Sequence, residues 1–274
     1  MTRRVLLTGG TGFVGRQVLR VLHASGVEVR AVVRTGTAAR LPEPAASVVE
    51  SPDLFAESAS WWAEACAGVD TVVHVAWYAE PGQYLTSPRN VACLTGTLQL
   101  AEGALRAGVR RFVGVGTCFE YDLRVGRLAT TTPLDPVTPY AAAKAAAYLA
   151  LSRHYAQAGA EFAWCRLFYL YGESEDARRL VPYVRTQLAA GQPAELTAGT
   201  QLRDFLDVAV AGRMIADVAL STRNGAANIC SGEAVTVRAL AERIADEYGR
   251  RDLLRFGAKP DRPGDPAVVV GVRD

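Results

Sequence analysis

Paired cysteines and long apolar runs are both missing from this sequence. The five cysteines are odd in number and widely spaced, without the Cys-x-x-Cys pairs of zinc sites, so we expect reduced buried thiols and no bound metal. No apolar run approaches the roughly 20 residues that span a bilayer. Because the first strand begins almost at Met1, we expect no signal peptide, no membrane segment and a cytoplasmic protein.

A large charge of either sign is also absent. The chain has 30 basic and 28 acidic residues, for a formal net charge of +2, which is too small to indicate a nucleic-acid partner. Lysine is rare among the basic residues and occurs only at Lys144 and Lys259. In a chain that otherwise uses arginine, a lysine indicates a position where a compact ammonium is needed.

Short apolar runs rich in β-branched residues alternate with alanine- and leucine-rich stretches of helical period. This alternation predicts an α/β fold built on a doubly wound parallel Rossmann sheet. The predicted strands are Val5–Thr8, Val29–Val33, Thr71–Val75, Arg111–Val115 and Phe162–Leu167. The predicted helices between them are Phe13–Ala24, Glu57–Cys66, Val91–Ala107 and Tyr140–Gln157.

The alternation changes after Leu167, where turn-rich stretches separate shorter elements. We predict helices at Val181–Ala190, Val208–Leu220 and Val237–Tyr248 and a strand at Ala227–Ile229. These elements favour a smaller C-terminal lobe that is interleaved with the main sheet. The predicted division is a first domain of residues 1–167, to which 205–222 return, and a lobe of residues 168–204 and 223–274.

A glycine-rich turn, TGGTGFVG, follows the first predicted strand. Its glycines have the spacing GxxGxxG and stand directly before an amphipathic helix. Such a turn lets the backbone approach a pyrophosphate, whose charge then lies at the helix N-terminus. We therefore predict that Gly9, Gly12, Phe13, Val14 and Gly15 bind a dinucleotide.

The end of the second strand indicates which dinucleotide is bound. An acidic residue there is typical of NAD sites, whereas an arginine suits the extra phosphate of NADP. Here Arg34 ends the strand without a carboxylate, which favours NADP(H) and leaves NAD(H) open. Asp53, beside Leu54, is a candidate contact to the adenine amino group, or else part of a surface loop. Ala76, after the fourth strand, is a further candidate cofactor contact.

A tyrosine and a lysine lie one helical turn apart at the start of the fourth helix. Thr138 is the predicted N-cap and Pro139 the first helical residue, which places Tyr140 and Lys144 on one helix face. The ammonium and the positive helix end should lower the pKa of the phenol, making Tyr140 an acid or base near neutral pH. Thr117 ends the fifth strand, where open α/β sheets bind ligands, and could hydrogen-bond a substrate carbonyl.

These motifs make the chain resemble the extended short-chain dehydrogenase/reductases, in their NAD(P)-dependent epimerase/dehydratase-like, nucleotide-sugar-modifying branch. TGGTGFVG resembles the opening turn of that family, VDTVVHVA its fourth strand and LTGTLQLAEGAL the following helix. RFVGVGTCFEYD resembles its serine/threonine strand, YAAAK its catalytic pair and RLFYLYG the strand leading into its substrate-binding lobe. The resemblance implies a homodimer formed by helices 91–107 and 140–157.

The resemblance also implies a nucleoside-diphosphate sugar as substrate. GTQLRDFLDV is similar to a family segment whose arginine grips the substrate diphosphate, which places Arg203 there. DRPGD is similar to a second such segment and places Arg262 on the same diphosphate. Cys118 and Tyr169 are expected at the sugar. Relatives often carry asparagine where this chain has Cys93 and Tyr169.

The residues after Thr117 discriminate between the reactions of the family. Sugar 4,6-dehydratases carry Asp-Glu directly after the threonine, and reductases that also epimerise carry a cysteine two residues after it. This chain has Cys118 and Phe119 there. The resemblance thus implies reduction of the C4 ketone of a nucleoside-diphosphate 4-keto-6-deoxyhexose by NADPH. Tyr140 would protonate the alkoxide, Thr117 orient the carbonyl, and Lys144 tune Tyr140 and hold the nicotinamide ribose.

Two other functions remain open at this point. One is a nucleotide-sugar 4-epimerase with tightly bound NAD, disfavoured by Arg34. The other is a non-catalytic dinucleotide-sensing regulator, which typically lacks the Tyr-x-x-x-Lys motif that this chain has.

Overall fold

A computed structural model describes residues 3–261 and 263–273 of the chain. The strands, in chain order, are β1 (Arg4–Thr8), β2 (Glu28–Arg34), β3 (Ser47–Ser51), β4 (Thr71–His74), β5 (Arg111–Thr117), β6 (Arg127–Leu128), β7 (Glu161–Leu167), β8 (Tyr169–Tyr171), β9 (Ala194–Leu196), β10 (Leu202–Arg203), β11 (Phe205–Asp207), β12 (Gly225–Ile229), β13 (Val235–Thr236), β14 (Leu254–Phe256) and β15 (Val268–Gly271). The α-helices are α1 (Gly15–Ala24), α2 (Ala59–Ala65), α3 (Arg89–Arg106), α4 (Pro139–Gln157), α5 (Leu180–Ala189), α6 (Val208–Leu220) and α7 (Val237–Tyr248).

Seven parallel strands form the central sheet, in the order β3-β2-β1-β4-β5-β7-β12. Helices α1 and α6 cover one face, and α2, α3 and α4 cover the other. Leu6 and Leu7 are adjacent in β1 and both fully buried, yet they belong to cores on opposite faces. Because both faces are covered, the strands are continuously apolar rather than alternating. The predicted doubly wound α/β fold is confirmed.

The chain reverses its direction across the sheet at β1. It runs from β1 outward through β2 and β3, then returns to β4 on the other side of β1. Ligands of open α/β sheets bind at such a switch point, beyond the carboxyl ends of the strands. The turn after β1, the segment after β4 and Thr117 at the end of β5 all lie at this edge.

A smaller lobe packs beyond that edge. Helices α5 and α7 enclose its apolar core with the paired strands β9 and β14. A second small sheet has the order β13-β10-β15-β6, and β8 pairs with β11. No helix among residues 3–261 and 263–273 combines the length and apolar character that crossing a membrane requires.

The sheet pairings correct the predicted division of the chain at two places. Residues 223–274 were predicted to belong to the lobe, but β12 pairs with β7 over five residues and completes the central sheet. Conversely, β6 lies within residues 1–167 but pairs with β15 of the lobe. Both strands are placed by partners distant in the sequence, which a local apolar run does not identify.

Candidate active site

The turn between β1 and α1 brings backbone close to backbone. Gly9 has φ +75°, and a Cβ there would lie 2.7 Å from the amide nitrogen of Ala76. A Cβ on Gly15 would overlap the carbonyl of Gly9, and the Gly12 amide donates to that same carbonyl at 2.9 Å. Val14, the N-cap of α1, provides no side-chain cap, and the amides of Phe13, Val14 and Gly15 have no backbone acceptor among the described residues, so they are available to an anion. The residues present therefore fit a dinucleotide pyrophosphate.

Phe13 and Leu54, two further predicted cofactor contacts, are half-buried. Leu54 packs on the core beneath α2 and α3. Arg34 is exposed at the end of β2, opposite Ser51 of β3, and its guanidinium has no hydrogen-bond or ion-pair partner among the described residues. Asp53 is exposed just beyond β3, where its Oδ1 accepts a bond from the amide of Phe55 at 3.1 Å. Arg34 and Asp53 thus follow neighbouring strands at the ligand-binding edge.

Helix α4 starts as the sequence predicts and carries Tyr140 and Lys144 to the end of β5. The Thr138 hydroxyl accepts a bond from the amide of Ala141 at 3.2 Å, with proline in the first turn. The Tyr140 phenol lies close to the side chain of Thr117. Lys144 is 2% exposed and donates to the carbonyl of Val115 in β5. The three predicted catalytic side chains therefore meet at one place.

The electrostatics of the pair differ from the sequence-based expectation. Loss of solvent around the phenol raises the pKa of Tyr140 above its ordinary value, whereas the sequence argument expected the Lys144 charge to lower it. Burial also lowers the pKa of Lys144 to about 7, partly offset by the nearby Glu120 carboxylate. Desolvation is thus the largest cause of both shifts. At neutral pH Tyr140 holds its proton.

A buried carboxylate that the sequence analysis missed holds the backbone of Thr117 in place by a hydrogen bond. Glu120 is fully buried and accepts bonds from the amide of Thr117 at 2.8 Å, the indole of Trp164 at 2.9 Å and Nε of Arg166 at 2.7 Å. Added Cβ atoms at Gly114 or Gly116 of β5 would overlap the Trp164 ring. The alternating glycines of VGVGT are therefore a sequence signal for a large side chain packed on that face.

Aromatic side chains that the sequence analysis also missed border Tyr140 and Lys144. The Trp77 ring centroid lies 3.8 Å from Nζ of Lys144, and its Nε1 donates to Oδ1 of Asn90 at 2.9 Å. Tyr84 contacts Tyr140 edge to face, with ring centroids 4.9 Å apart. Trp77 follows β4 and Tyr84 precedes α3, so both aromatic rings lie on the loop between these elements. We refer to these two rings as the aromatic wall, and the loop has no recognisable sequence motif.

The lobe contributes the predicted substrate contacts. Arg203 is 3% exposed, pairs with Asp265 at 2.7 Å and lies over the ring of Tyr169, 5.3 Å from its centroid. Tyr169 is half-buried and meets Phe119 edge to face at 6.1 Å. Burial raises the pKa of the Cys118 thiol, so this side chain is protonated. Arg262, the second predicted diphosphate ligand, lies outside the described residues.

All five cysteines, Cys93 among them, are buried, and none of these described residues forms a disulfide. Within residues 3–261 and 263–273, no three His, Cys, Asp or Glu side chains come together as a metal site.

Comparison with known proteins matches most of the chain. The model of the NAD dependent epimerase/dehydratase family covers residues 5–230. A dTDP-6-deoxy-L-talose 4-dehydrogenase (NAD(+)) of Aggregatibacter actinomycetemcomitans is 24% identical over 279 residues, which are 98% of this chain and 99% of that protein. A dTDP-6-deoxy-L-talose 4-dehydrogenase (NAD(P)(+)) of Kitasatospora kifunensis is 32% identical over 278 residues, 95% of this chain and 84% of that one.

A similar solved structure is that of a dTDP-glucose 4,6-dehydratase from Streptomyces venezuelae with NAD bound. It is 28% identical in sequence and has a TM-score of 0.82, covering 98% of this chain and 88% of the other. The family match includes the glycine turn, Thr117, Tyr140, Lys144 and Arg203 within its bounds.

Proposed function

This chain belongs to the NAD dependent epimerase/dehydratase family, and from that premise we propose that it reduces the C4 ketone of a nucleoside-diphosphate 4-keto-6-deoxyhexose with NADPH. One observation carries the proposal: Tyr140 lies close to Thr117 and one helical turn from Lys144, and neither of the two residues that directly follow the threonine, Cys118 and Phe119, carries a carboxylate. The nicotinamide supplies the hydride when it is bound.

The proton required by the reduction comes from Tyr140. As the carbonyl carbon gains a hydride, the oxygen becomes an alkoxide and must be protonated, which a positioned general acid accelerates. The raised pKa of Tyr140 suits an acid that holds its proton until the alkoxide develops. Thr117 lies close to the same phenol and orients the carbonyl.

The positions after Thr117 support reduction over elimination of water. Elimination needs an acid and a base at the sugar beyond the tyrosine. The side chain of Phe119 has no ionisable group. Burial raises the pKa of the Cys118 thiol, so this side chain is not a thiolate base at neutral pH.

Two relatives named as dTDP-6-deoxy-L-talose 4-dehydrogenases support the substrate class. Their named reaction, run in reverse, is reduction of a C4 ketone on a nucleotide-linked 6-deoxyhexose. Arg203 provides a planar guanidinium that suits a diphosphate. In the proposal, the substrate diphosphate replaces Asp265 as the ion-pair partner of Arg203. The exposed, unpartnered guanidinium of Arg34 supports a preference for NADPH.

Exposed apolar residues support the proposed homodimer. Val91 on α3 is 67% exposed and Leu149 on α4 is 56% exposed. These are the two helices that the family resemblance implies at a dimer interface.

The test is to supply a dTDP-4-keto-6-deoxyhexose with NADPH, follow reduced nicotinamide by absorbance and identify the product by NMR. We expect one NADPH oxidised for each ketone consumed, with a new hydroxyl at C4. An inactive Tyr140→Phe variant is the matched control. Interconversion of two sugars without net NADPH loss would instead establish a 4-epimerase. Binding of the dinucleotide without turnover of any nucleotide sugar would favour a regulator.

A further inference from the structure

Lys144 is held from two sides by groups of the chain itself. Its ammonium has three donors. One donates to the carbonyl of Val115, and the face of the Trp77 indole lies 3.8 Å from Nζ. A second indole, that of Trp164, lies farther away, with its ring centroid 5.9 Å from Nζ.

The indole of Trp77 is fixed by Asn90. Asn90 is fully buried, and its Nδ2 donates to the carbonyls of Tyr84 at 2.6 Å and Ser87 at 3.0 Å. Because both carbonyls need donors, the side-chain amide cannot flip, and its Oδ1 must face the Trp77 Nε1–H at 2.9 Å. Phe55 contacts the indole edge to face, with centroids 6.3 Å apart.

We propose that Trp77, anchored by Asn90, is a positioning residue that holds the Lys144 ammonium at the active site. The negative face of an indole attracts a cation, and this attraction is strongest where water is excluded. The arrangement opposes the desolvation that lowers the pKa of Lys144 to about 7. Trp77 also meets Tyr140 edge to face at 6.4 Å, so the same ring borders both members of the pair.

Other ionisable groups also face this ammonium, and the test must separate Trp77 from them. Glu120, beyond β5, favours the charged form of Lys144, whereas burial raises the pKa of the Cys93 thiol on α3 and keeps it neutral. His74 on β4 is fully desolvated, which lowers its pKa to about 3 and keeps it neutral. Tyr140, on the same helix, holds its proton. A substitution at Trp77 removes none of these groups.

The experiment uses the scarcity of lysine. Labelling with [ε-13C]lysine gives signals from only two residues, and Lys144→Arg identifies the Lys144 signal. Lys259, exposed and 4.5 Å from the Tyr183 ring centroid, is an internal reference in the same sample. The pH midpoint of each signal is read in the unmodified protein, Trp77→Leu, Trp77→Phe and Trp61→Leu.

Trp77→Leu keeps apolar bulk but removes the π face, so we expect the Lys144 midpoint to fall by about one pH unit. Trp77→Phe retains a ring and should recover part of that shift. Trp61 lies on α2 against Trp62, away from Lys144, and Trp61→Leu should leave the midpoint unchanged. Lys259 should titrate identically in all four proteins. Circular dichroism checks that each variant is folded.

An unchanged or higher Lys144 midpoint in folded Trp77→Leu would overturn the proposal. A second readout rests on the proposed reduction: the alkaline limb of kcat/KM should move to lower pH with the NMR midpoint. If the midpoint moves but no nucleotide sugar is reduced, the proposed function fails and the positioning role stands. If reduction proceeds and neither quantity moves, the positioning role fails alone.

Discussion

The buried ion pair between Glu120 and Arg166 offers a quantitative test of the fold beneath the active site. Their side chains are 0% and 1% exposed, with Oε2 and Nε 2.7 Å apart. Glu120→Gln preserves the shape of the side chain but leaves the charge of Arg166 without a counter-ion. The new amide NH₂ also faces groups that are themselves donors, the Thr117 amide, the Trp164 indole and the Arg166 guanidinium. Breaking a buried pair on one side costs about 3–5 kcal/mol. Against a total stability of about 5–15 kcal/mol for a domain, the variant should remain folded but be clearly weakened.

Urea denaturation followed by fluorescence and circular dichroism measures this loss. The matched control is Glu247→Gln, because Glu247 pairs with Arg185 at 2.6 Å with side chains 52% and 41% exposed. An exposed pair contributes about 0–1 kcal/mol. The double variant Glu120→Gln/Arg166→Met should lose less than the sum of the single changes, since it removes the isolated charge. A loss below about 1 kcal/mol for Glu120→Gln would refute the reasoning.

Four further outcomes are expected. Tyr140→Phe should lower the chemical rate by roughly 10²–10⁴ while keeping cofactor affinity, whereas Lys144→Ala should impair both, as stopped-flow kinetics and cofactor titration would show. Arg34→Ala should lose much of the preference for NADPH over NADH in fluorescence titrations, and equal affinities in the unmodified protein would contradict this assignment. Burial raises the pKa of Glu175 from 4.5 to about 7, so between these pH values the folded protein binds one more proton than the unfolded chain. The free energy of unfolding should therefore fall as pH rises from about 4.5 to about 7. Urea titrations across this range should show the decrease, and Glu175→Gln should make it smaller. Leu149→Asp should reduce the mass measured by light scattering from dimer to monomer, and a monomeric unmodified protein would disprove the dimer.

The features predicted correctly are local in the sequence. The glycine turn, the Thr138 N-cap and the spacing of Tyr140 and Lys144 each occupy a few consecutive residues. Strands β1, β2, β4, β5 and β7 were also found, because burial on both faces makes them continuously apolar, whereas the largely exposed edge strand β3 was not. The positions of these groups relative to one another are set within one turn or one helix, so the order of residues in the sequence is enough to predict them.

The missed features depend on contacts between distant segments. Strands β10 and β15 are two and four residues long, too short to show a period, and they pair across more than sixty positions, Leu202 with Val268. Asn90 reaches Trp77 only because α3 packs beside the loop after β4. Glu120 and Arg166 are 46 positions apart and meet because β5 and β7 are neighbours. No local pattern specifies these partners.

The wrong expectation for Tyr140 has the same origin and bears on the reaction. The sequence placed a lysine one turn away and a helix N-terminus nearby, and both favour a phenolate. It gave no measure of desolvation, which the packing of the aromatic wall supplies and which raises the pKa of Tyr140. Lys144 meanwhile directs its donors to the carbonyl of Val115 and the face of Trp77. A tyrosine that retains its proton is prepared to donate it, which is what ketone reduction requires; oxidation of an alcohol would require a phenolate first.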